Sequence, residues 1–372
     1  MTSADRPPRG LPTVVLHDHL DGGLRAQTLV ELAGEIGHEL PFTDPDRLAT
    51  WYVEAASSGD LETYIRTFEH TLAVMQSAAN LRRIAAEAVV DLAADGVVHA
   101  EQRYAPELHQ RGGLSGQEVV DAVQEGIDEG VALAAAAGHP ISVVQILTMM
   151  RNGEHGRQTA ELVLANRDRG VGGADLAGPE AGYPVSAHKR ALRILRQASM
   201  PVTIHAGEAD GVGSIADALH LGGAIRIGHG ARLVEDISFG EPTPDDPWGL
   251  DGAVLGRVAR WVLDQQVPLE LCPSSNLHTG VVDTVAHHPM TALLRLGFAV
   301  TVSPDNRLMS GTSQSRELGL LVEHAGWTHD DLRDVTVTAA WNAFLPHDAR
   351  ERLVEDVILP AYLLPSNGRH RA

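Results

Sequence analysis

Cysteine and long apolar runs are almost absent from this chain of 372 residues. Cys272 is its one cysteine, so no disulfide framework can form and a reducing compartment is the expected setting. No apolar run reaches the roughly 18 residues that a membrane-spanning helix needs. The first ten residues are polar and proline-rich, unlike a secretory signal. We therefore expect a cytoplasmic protein that does not bind membranes.

Positively charged residues are also outnumbered: 29 Lys and Arg face 49 Asp and Glu, which gives a formal net charge of −20 at pH 7. Long-range repulsion then disfavours binding to nucleic acid and to anionic membranes. The acidic balance suits a neutral or cationic small substrate, and solubility alone is also a sufficient reason for it. The 44% share of hydrophobic residues is ordinary for a globular protein, so a folded core is expected without disulfides.

Short β-like runs alternate with longer helical patterns, which predicts βα units around a parallel sheet. The length allows two domains or one large barrel. Several runs are rich in Val and Ile without strict alternation, as strands covered on both faces should be. Eight such runs predict an α/β fold of the (β/α)8 TIM-barrel type. The runs are Thr13–Asp18, Val97–Tyr104, Ser142–Met149, Gly170–Asp175, Val202–His205, Arg226–His229, Leu269–Cys272 and Ala299–Ser303.

Helical patterns lie between these runs, as a barrel requires. Apolar spacing and Gly or Pro stop signals predict helices at Leu81–Leu92, Gln117–Ala137 and Ala187–Gln197. We expect one catalytic domain over residues 11–364, with flexible tails at 1–10 and 365–372.

Two connecting segments are unusually long. The first and second runs are separated by roughly 75 residues, which exceeds a single crossover helix. Extra helices around Pro45–Tyr52 and Asp60–Met75 are therefore expected to form a lid over the barrel mouth. The acidic, Pro- and Gly-rich stretch Glu235–Asp251 is predicted to be a surface loop.

The pair His17 and His19 ends the first predicted strand. Residues two apart on a strand point to the same side, so both imidazoles can share one metal ion. Such pairs also arise by chance, and the pair alone is a weak indication.

Further polar residues end the other predicted strands, where TIM barrels carry their catalytic groups. They are Asp175, His205 with Glu208, His229, and Asp305 with Asn306. Each has an ordinary structural explanation, such as a buried histidine, a helix cap or a turn residue. Taken together these explanations are improbable, because several titratable residues would have to end separate strands by coincidence. Three histidines and an aspartate are suitable ligands for Zn²⁺ with one position left for water.

The same motifs resemble, in order and spacing, the signatures of the adenosine deaminase family. The resemblance covers about residues 12–360 and implies a (β/α)8 barrel with one zinc ion per chain. The implied reaction converts adenosine or 2′-deoxyadenosine, with water, to inosine or 2′-deoxyinosine and ammonia. The matching motifs are His17-Asp18-His19-Leu20-Asp21-Gly22, Asp175-Leu176-Ala177-Gly178, His205-Ala206-Gly207-Glu208, Gly228-His229-Gly230, Leu271-Cys272-Pro273-Ser274-Ser275-Asn276 and Ser303-Pro304-Asp305-Asn306.

The resemblance also implies roles for individual residues. The zinc ligands would be His17, His19, His205 and Asp305. His229 would orient or deprotonate the attacking water, and Asp305 would accept a hydrogen bond from it. Glu208 would donate a proton to purine N1, so its site should keep the carboxyl neutral.

Substrate contacts are implied in the same way. The backbone N–H of Gly178 would contact N3, and Asp21 would bind the ribose 5′-hydroxyl. His19 and Asn306 would complete the substrate site. Asn306 departs from the commonest family pattern, a second aspartate, but its amide can donate to N7 at ordinary pH.

Other enzyme classes fit less well. The cysteine-rich class of zinc deaminases needs more than one cysteine. A dinuclear site bridged by a modified lysine is disfavoured, because Lys189 is the one lysine and lies in a predicted helix. The open alternatives are a modified adenosine, such as 6-amino-6-deoxyfutalosine or a specialised-metabolism nucleoside, and an inactive nucleoside-binding relative. Asp21 argues against free adenine, and the lack of a basic cluster argues against N6-methyl-AMP. The oligomeric state is left open.

Overall fold

Parallel strands close into a barrel in this computed structural model, which describes residues 10–57 and 61–363. Strands β1 to β4 form one sheet, and β5, β6, β9 and β10 form another. Isolated parallel bridges between Ala174 and Val202 and between Asp18 and Asp305 join the two sheets. The strands are β1 Thr13–His19, β2 Val97–Tyr104, β3 Ser142–Met150, β4 Val171–Ala177, β5 Thr203–Ala206, β6 Arg226–His229, β7 Ile237–Ser238, β8 Val254–Leu255, β9 Leu269–Leu271 and β10 Val300–Val302.

Helices surround the barrel and follow its strands. They are α1 Ala26–Ile36, α2 Pro45–Ala56, α3 Leu61–Arg66, α4 Phe68–Val74, α5 Ala78–Ala94, α6 Gly116–Ala136, α7 Gly156–Ala165, α8 Lys189–Gln197, α9 Val212–Asp217, α10 Arg257–Asp264, α11 Pro273–His278, α12 Met290–Arg295, α13 Gln314–Ala325, α14 His329–Trp341, α15 His347–Arg352 and α16 Leu359–Leu363. One hydrophobic cluster contains residues from β1 through α16. Within the described ranges, no helix combines the length and apolarity needed to cross a bilayer.

The predicted barrel is confirmed, and its eight predicted strands agree with the observed ones to within two residues at each end. The predicted helices correspond to α5, α6 and α8. The predicted tails lie outside the described residues apart from Gly10, so the domain boundaries stay predictions.

The long connection after β1 forms five helices in its described part, α1 to α5. The predicted segment Pro45–Tyr52 lies within α2, and the segment ending at Met75 forms α3 and α4, with Asp60 outside the described residues. Side chains of α3 and α4 line the cavity at the barrel mouth that contains His19, His205 and Asp305. Their function as a lid stays a prediction.

The acidic segment Glu235–Asp251 is not purely a loop. Its residues Ile237 and Ser238 pair antiparallel with Leu255 and Val254, so the segment starts a small two-stranded ribbon. A ladder of two residues is too short to give a periodic signal, which is why sequence patterns missed it.

Glycines allow α5 and α6 to approach closely. A Cβ atom on Gly126 of α6 would lie 2.2 Å from the carbonyl oxygen of Arg82 on α5. A Cβ on Gly130 would lie 2.7 Å from the carbonyl oxygen of Ala86. Side chains at these positions would therefore force the two helices apart.

We expect Gly126→Ala to lower the free energy of unfolding by about 1–3 kcal/mol, because the new methyl group overpacks the interface. The control is Gly34→Ala on α1, where no atom lies within 4 Å of the new Cβ. That change should stabilise the protein by about 0.5–1 kcal/mol through helix propensity. Denaturant titration measures both, and equal effects of the two substitutions would contradict the close approach.

Candidate metal centre and active site

The barrel brings the predicted site residues to one cavity of about 700 Å³. His17 and His19 lie at the end of β1, His205 in β5, and His229 at the end of β6, while Asp305 follows β10. Parallel strands share one carboxyl edge, so residues distant in sequence meet there. His17 is fully buried. The other predicted site residues line the cavity and are His19, Asp21, Gly178, His205, Glu208, His229, Asp305 and Asn306.

Ligand atoms of the four predicted metal-binding side chains lie close to one another. The Nε2 atoms of His19 and His205 lie 3.2 Å apart. Oδ1 of Asp305 lies 3.4 Å from Nε2 of both His17 and His19. Such crowding of nitrogen and oxygen atoms is typical of a metal site. His229 also brings a ring nitrogen near His17 and Asp305, so geometry alone allows a second grouping.

Carboxylates behind two of these histidines determine where their protons lie. Nδ1 of His17 is 2.9 Å from Oε2 of Glu270, and Nδ1 of His205 is 3.1 Å from Oδ1 of Asp175. A carboxylate accepts, so each Nδ1 carries the proton and each Nε2 directs a lone pair to the centre. Nε2 of His17 has no hydrogen-bond partner among the described residues. These lone pairs and the Asp305 carboxylate fit a bound cation.

A buried arginine supports both carboxylates. The Arg103 guanidinium lies 2.8 Å from Oε2 of Glu270 and 3.3 Å from Oδ2 of Asp175, and it also donates to the carbonyl of Leu16. Burial alone would raise the pKa of Glu270, but Arg103 and Arg226 hold it well below its usual value. Both carboxylates therefore stay ionised.

The network of buried charges is unbalanced without a cation. It contains Arg103 and Arg226 against the carboxylates of Glu101, Asp175, Glu270 and Asp305. With the histidines neutral, two positive and four negative groups leave an excess of negative charge, part of it on Asp305 at the cavity wall. A buried charge requires a partner, and a divalent cation supplies one.

Two contacts join the strands that carry the cluster. Arg307 donates to Asp18 from Nε at 2.8 Å, so the loop after β10 is tied to β1 between His17 and His19. The second contact is a hydrogen bond of 2.8 Å from the His19 N–H to the Asp305 carbonyl.

Two residues of the site have strained backbones. Asp305 and His229 have φ angles of 62° and 59°, a left-handed conformation that non-glycine residues adopt at a cost.

Glu208 lies in the same cavity as a buried carboxyl. Its Oε2 is 3.5 Å from Nε2 of His229, and its Oε1 is 3.1 Å from the Thr279 hydroxyl. Burial, reinforced by the charges of Asp305 and Glu180, raises the pKa of Glu208 well above its usual value. This shift favours the neutral form of the carboxyl, which is the form that can donate a proton.

Glu180 fixes the backbone that carries Glu208. Its carboxylate accepts hydrogen bonds of 2.7–3.0 Å from four successive N–H groups, those of residues 207 to 210. Consecutive N–H groups directed at one anion form a nest. Because Glu180 follows Gly178 on the loop after β4, it links the two loops that border the cavity.

Two further predicted residues, Asp21 and Gly178, line the cavity. Asp21 is buried, and its Oδ1 lies 4.0 Å from Nδ1 of His19 but has no hydrogen-bond partner among the described residues. Burial raises the pKa of Asp21 to about 7. Gly178 has a φ of +99°, and a Cβ there would lie 2.9 Å from Cε of Met150, so glycine fits this position best.

Asn306 is oriented by the predicted ligand next to it. Its Nδ2 donates to Oδ1 of Asp305 at 2.7 Å, and its Oδ1 has no partner among the residues described. This oxygen is buried and packs against Gly22.

Sequence reasoning did not identify Arg103, Glu270 or Glu180 as part of the site. Arg103 and Glu270 lie within predicted buried strands, where an ionisable residue needs a partner, and this signal was present. Glu180 lies in a loop, and the sequence carries no indication of its contacts.

We expect Arg103→Met to lower the free energy of unfolding by about 3–5 kcal/mol, because Glu270 and Asp175 lose a buried counter-charge. The control is Arg157→Met, which removes the exposed pair with Glu161 and should cost less than about 1 kcal/mol. Denaturant titration compares the two, and similar losses would contradict the importance of the buried network.

Known proteins are similar to this chain in sequence and in fold. The model of the adenosine deaminase family matches residues 12–360. Adenosine deaminase 1 of Streptomyces coelicolor is 52% identical over 356 residues, covering 95% of this chain and 88% of that protein. The adenosine deaminase of Mycobacteroides abscessus is 50% identical, covering 94% and 95%. The structure of adenine deaminase from Arthrobacter aurescens superposes with a TM-score of 0.79 at 24% identity, covering 93% and 98%. The chain therefore belongs to the adenosine deaminase family.

Proposed function

We propose that this protein is a zinc-dependent aminohydrolase that converts adenosine and 2′-deoxyadenosine to inosine and 2′-deoxyinosine with release of ammonia. The observation that carries the proposal is the buried carboxyl of Glu208, with its raised pKa, beside a cluster of candidate metal ligands in one cavity. Attack on an aminopurine needs both an activated water and an acid that protonates the ring. The names of the relatives at about 50% identity agree with this reaction.

The proposed metal ligands are His17, His19, His205 and Asp305. Three imidazole nitrogens and one carboxylate oxygen are a donor set that suits zinc. When bound, zinc lowers the pKa of a coordinated water to about 7 and so supplies hydroxide at neutral pH. Glu270 and Asp175 keep the lone pairs of His17 and His205 directed at the centre.

Glu208 is proposed as the general acid. Its raised pKa keeps the proton that N1 of the purine must receive. Protonation at N1 makes the neighbouring carbon electrophilic, and the water oxygen attacks that carbon. His229 lies next to Glu208 and is proposed to contact the attacking water, with Asp305 as an acceptor.

The sugar contact supports a nucleoside rather than a free base. Asp21 lines the cavity, and its carboxylate, whose Oδ1 makes no hydrogen bond among the described residues, is proposed to accept from the ribose 5′-hydroxyl. The backbone of Gly178 is proposed to contact N3. His19 and Asn306 are proposed to border the base and sugar, since both line the same cavity. No contact in the described cavity favours a modified adenosine over adenosine itself.

Two wider expectations accompany this function and remain predictions. We expect a cytoplasmic enzyme, and we expect its partners to be a small purine nucleoside and water.

The reaction is tested by incubating the enzyme separately with adenosine, 2′-deoxyadenosine, adenine, AMP and 6-amino-6-deoxyfutalosine and measuring the loss of aminopurine absorbance. We expect kcat/KM to be highest for adenosine and 2′-deoxyadenosine, and at least about 10²-fold lower for adenine, which leaves Asp21 unpaired. AMP should also be poor, because its phosphate faces that carboxyl. A clear preference for 6-amino-6-deoxyfutalosine would replace adenosine in the proposal.

Metal analysis tests the zinc site. We expect about one zinc per chain, loss of activity on dialysis against a chelator, and recovery when one equivalent of Zn²⁺ is added. Activity that needs two metal ions per chain would contradict the proposed ligand set.

Replacement of the proposed acid should separate binding from chemistry. Glu208→Gln is expected to keep its zinc and to bind inosine, but to lose at least about 10²-fold in kcat, because an amide cannot supply the N1 proton. Glu241→Gln, at an exposed position, is the control and should leave kcat unchanged. Near-normal turnover by Glu208→Gln would refute its role.

The wild-type enzyme should also lose activity at alkaline pH. The raised pKa of Glu208 extends its acid form to higher pH than for an ordinary glutamate, and that form disappears as the pH rises through this pKa. The alkaline limb of the pH dependence of kcat/KM measures the loss. A profile that keeps rising to high pH would show that a protonated Glu208 is not required.

A further inference from the structure

A chain of buried hydrogen bonds leads to His229 from the far side of the active site. We infer that Asn276 and His288 hold His229 with its proton on Nε2, so that His229 donates a hydrogen bond to the attacking water and does not act as its general base. This inference rests on the proposed function and deepens it, since it chooses between orienting and deprotonating the water. It makes Asn276 and His288 positioning residues of the reaction.

The chain starts at a group that can only donate. The backbone N–H of Met290 donates to Nδ1 of His288 at 3.1 Å. Nδ1 of His288 therefore carries no proton. Burial lowers the pKa of His288 to about 3, so its ring is neutral and its single proton is on Nε2.

The amide of Asn276 connects the Nε2 proton of His288 to the ring of His229. Nε2 of His288 lies 3.1 Å from Oδ1 of Asn276, which accepts its proton. A flipped amide would place an N–H₂ group against an N–H, so the orientation of Asn276 is determined. Nδ2 of Asn276 then faces Nδ1 of His229 at 3.2 Å and donates to it.

His229 is thereby assigned the opposite tautomer to that of the proposed ligands. Carboxylates face Nδ1 of His17 and His205, whose Nε2 atoms carry lone pairs. An amide donor faces Nδ1 of His229, whose Nε2 carries a proton. A metal ligand needs a lone pair, so His229 belongs beside the metal cluster and not within it, although its ring centroid is only 4.8 Å from that of His17.

The same contacts remove the capacity of His229 to act as a base. A second proton would have to go to Nδ1, where the Asn276 amide already donates. What the ring retains is a fixed N–H at the cavity wall, near Glu208. A pre-organised donor of this kind contributes about 10²–10³-fold to kcat.

The position of the proton is directly observable. Zinc-loaded protein with ¹⁵N-labelled histidine rings would be examined by NMR, and the His229 signals assigned by their absence in His229→Gln. We expect a one-bond ¹⁵N–¹H coupling at Nε2 and none at Nδ1. A proton on Nδ1, or exchange between both nitrogens, would overturn the inference. The measurement needs no substrate, so it stands even if adenosine fails as the substrate.

A substitution tests the consequence for catalysis. Asn276→Asp puts an acceptor against Nδ1, and we expect the proton to move there, zinc content to stay the same and kcat to fall about 10²-fold. The matched control is Asn166→Asp, a buried amide that bonds to Gln117 outside the cavity and should leave kcat unchanged. A proton that stays on Nε2, or a relocated proton with normal kcat, would refute the assignment.

Discussion

The ion network inside the barrel, centred on Arg103, is the interaction on which the site depends. A TIM barrel interior is ordinarily filled by apolar side chains, yet here Arg103 connects Glu270 and Asp175 without access to solvent. Each carboxylate in turn orients one histidine of the metal cluster. Burial of these charges is costly unless every group is paired, so the arginine, the carboxylates and a cation are needed together. The proposed cation would complete this network.

Neighbouring groups in one cavity are held in different protonation states by their partners. Arg103 lowers the pKa of Asp175 and Glu270, whereas burial near the charges of Asp305 and Glu180 raises the pKa of Glu208. Hydrogen-bond partners make the same distinction between histidines of identical chemistry. A carboxylate behind the ring leaves a lone pair for a metal, and an amide donor behind the ring leaves a proton for a substrate atom. The roles proposed for Glu208, for His17 and His205, and for His229 therefore depend on the residues that contact each side chain.

Rigid connections between loops maintain these distances. Arg307 ties the loop after β10 to Asp18, and Glu180 ties the loop after β5 to the loop after β4. Asp305 and His229 adopt left-handed backbone conformations that cost energy, and the surrounding hydrogen bonds support them. Strain of this kind is commonly concentrated at functional sites, where side chains must leave the ordinary strand direction. The proposed reaction requires such fixed positions, because a neutral acid and a water must face one ring.

The sequence by itself determined the strands, their order and the polar residues at their ends. These features are local, since alternating βα patterns and a residue that ends a strand are visible within a few positions, and they led to His17, His19, His205, Glu208, His229 and Asp305. Tertiary structure alone decided the partners: Arg103 with Glu270, Glu180 with the loop after β5, and His288 with Asn276. Protonation depends on what lies within about 3 Å of each atom. Barrel closure sets those distances between residues far apart in the chain, and no local pattern records them.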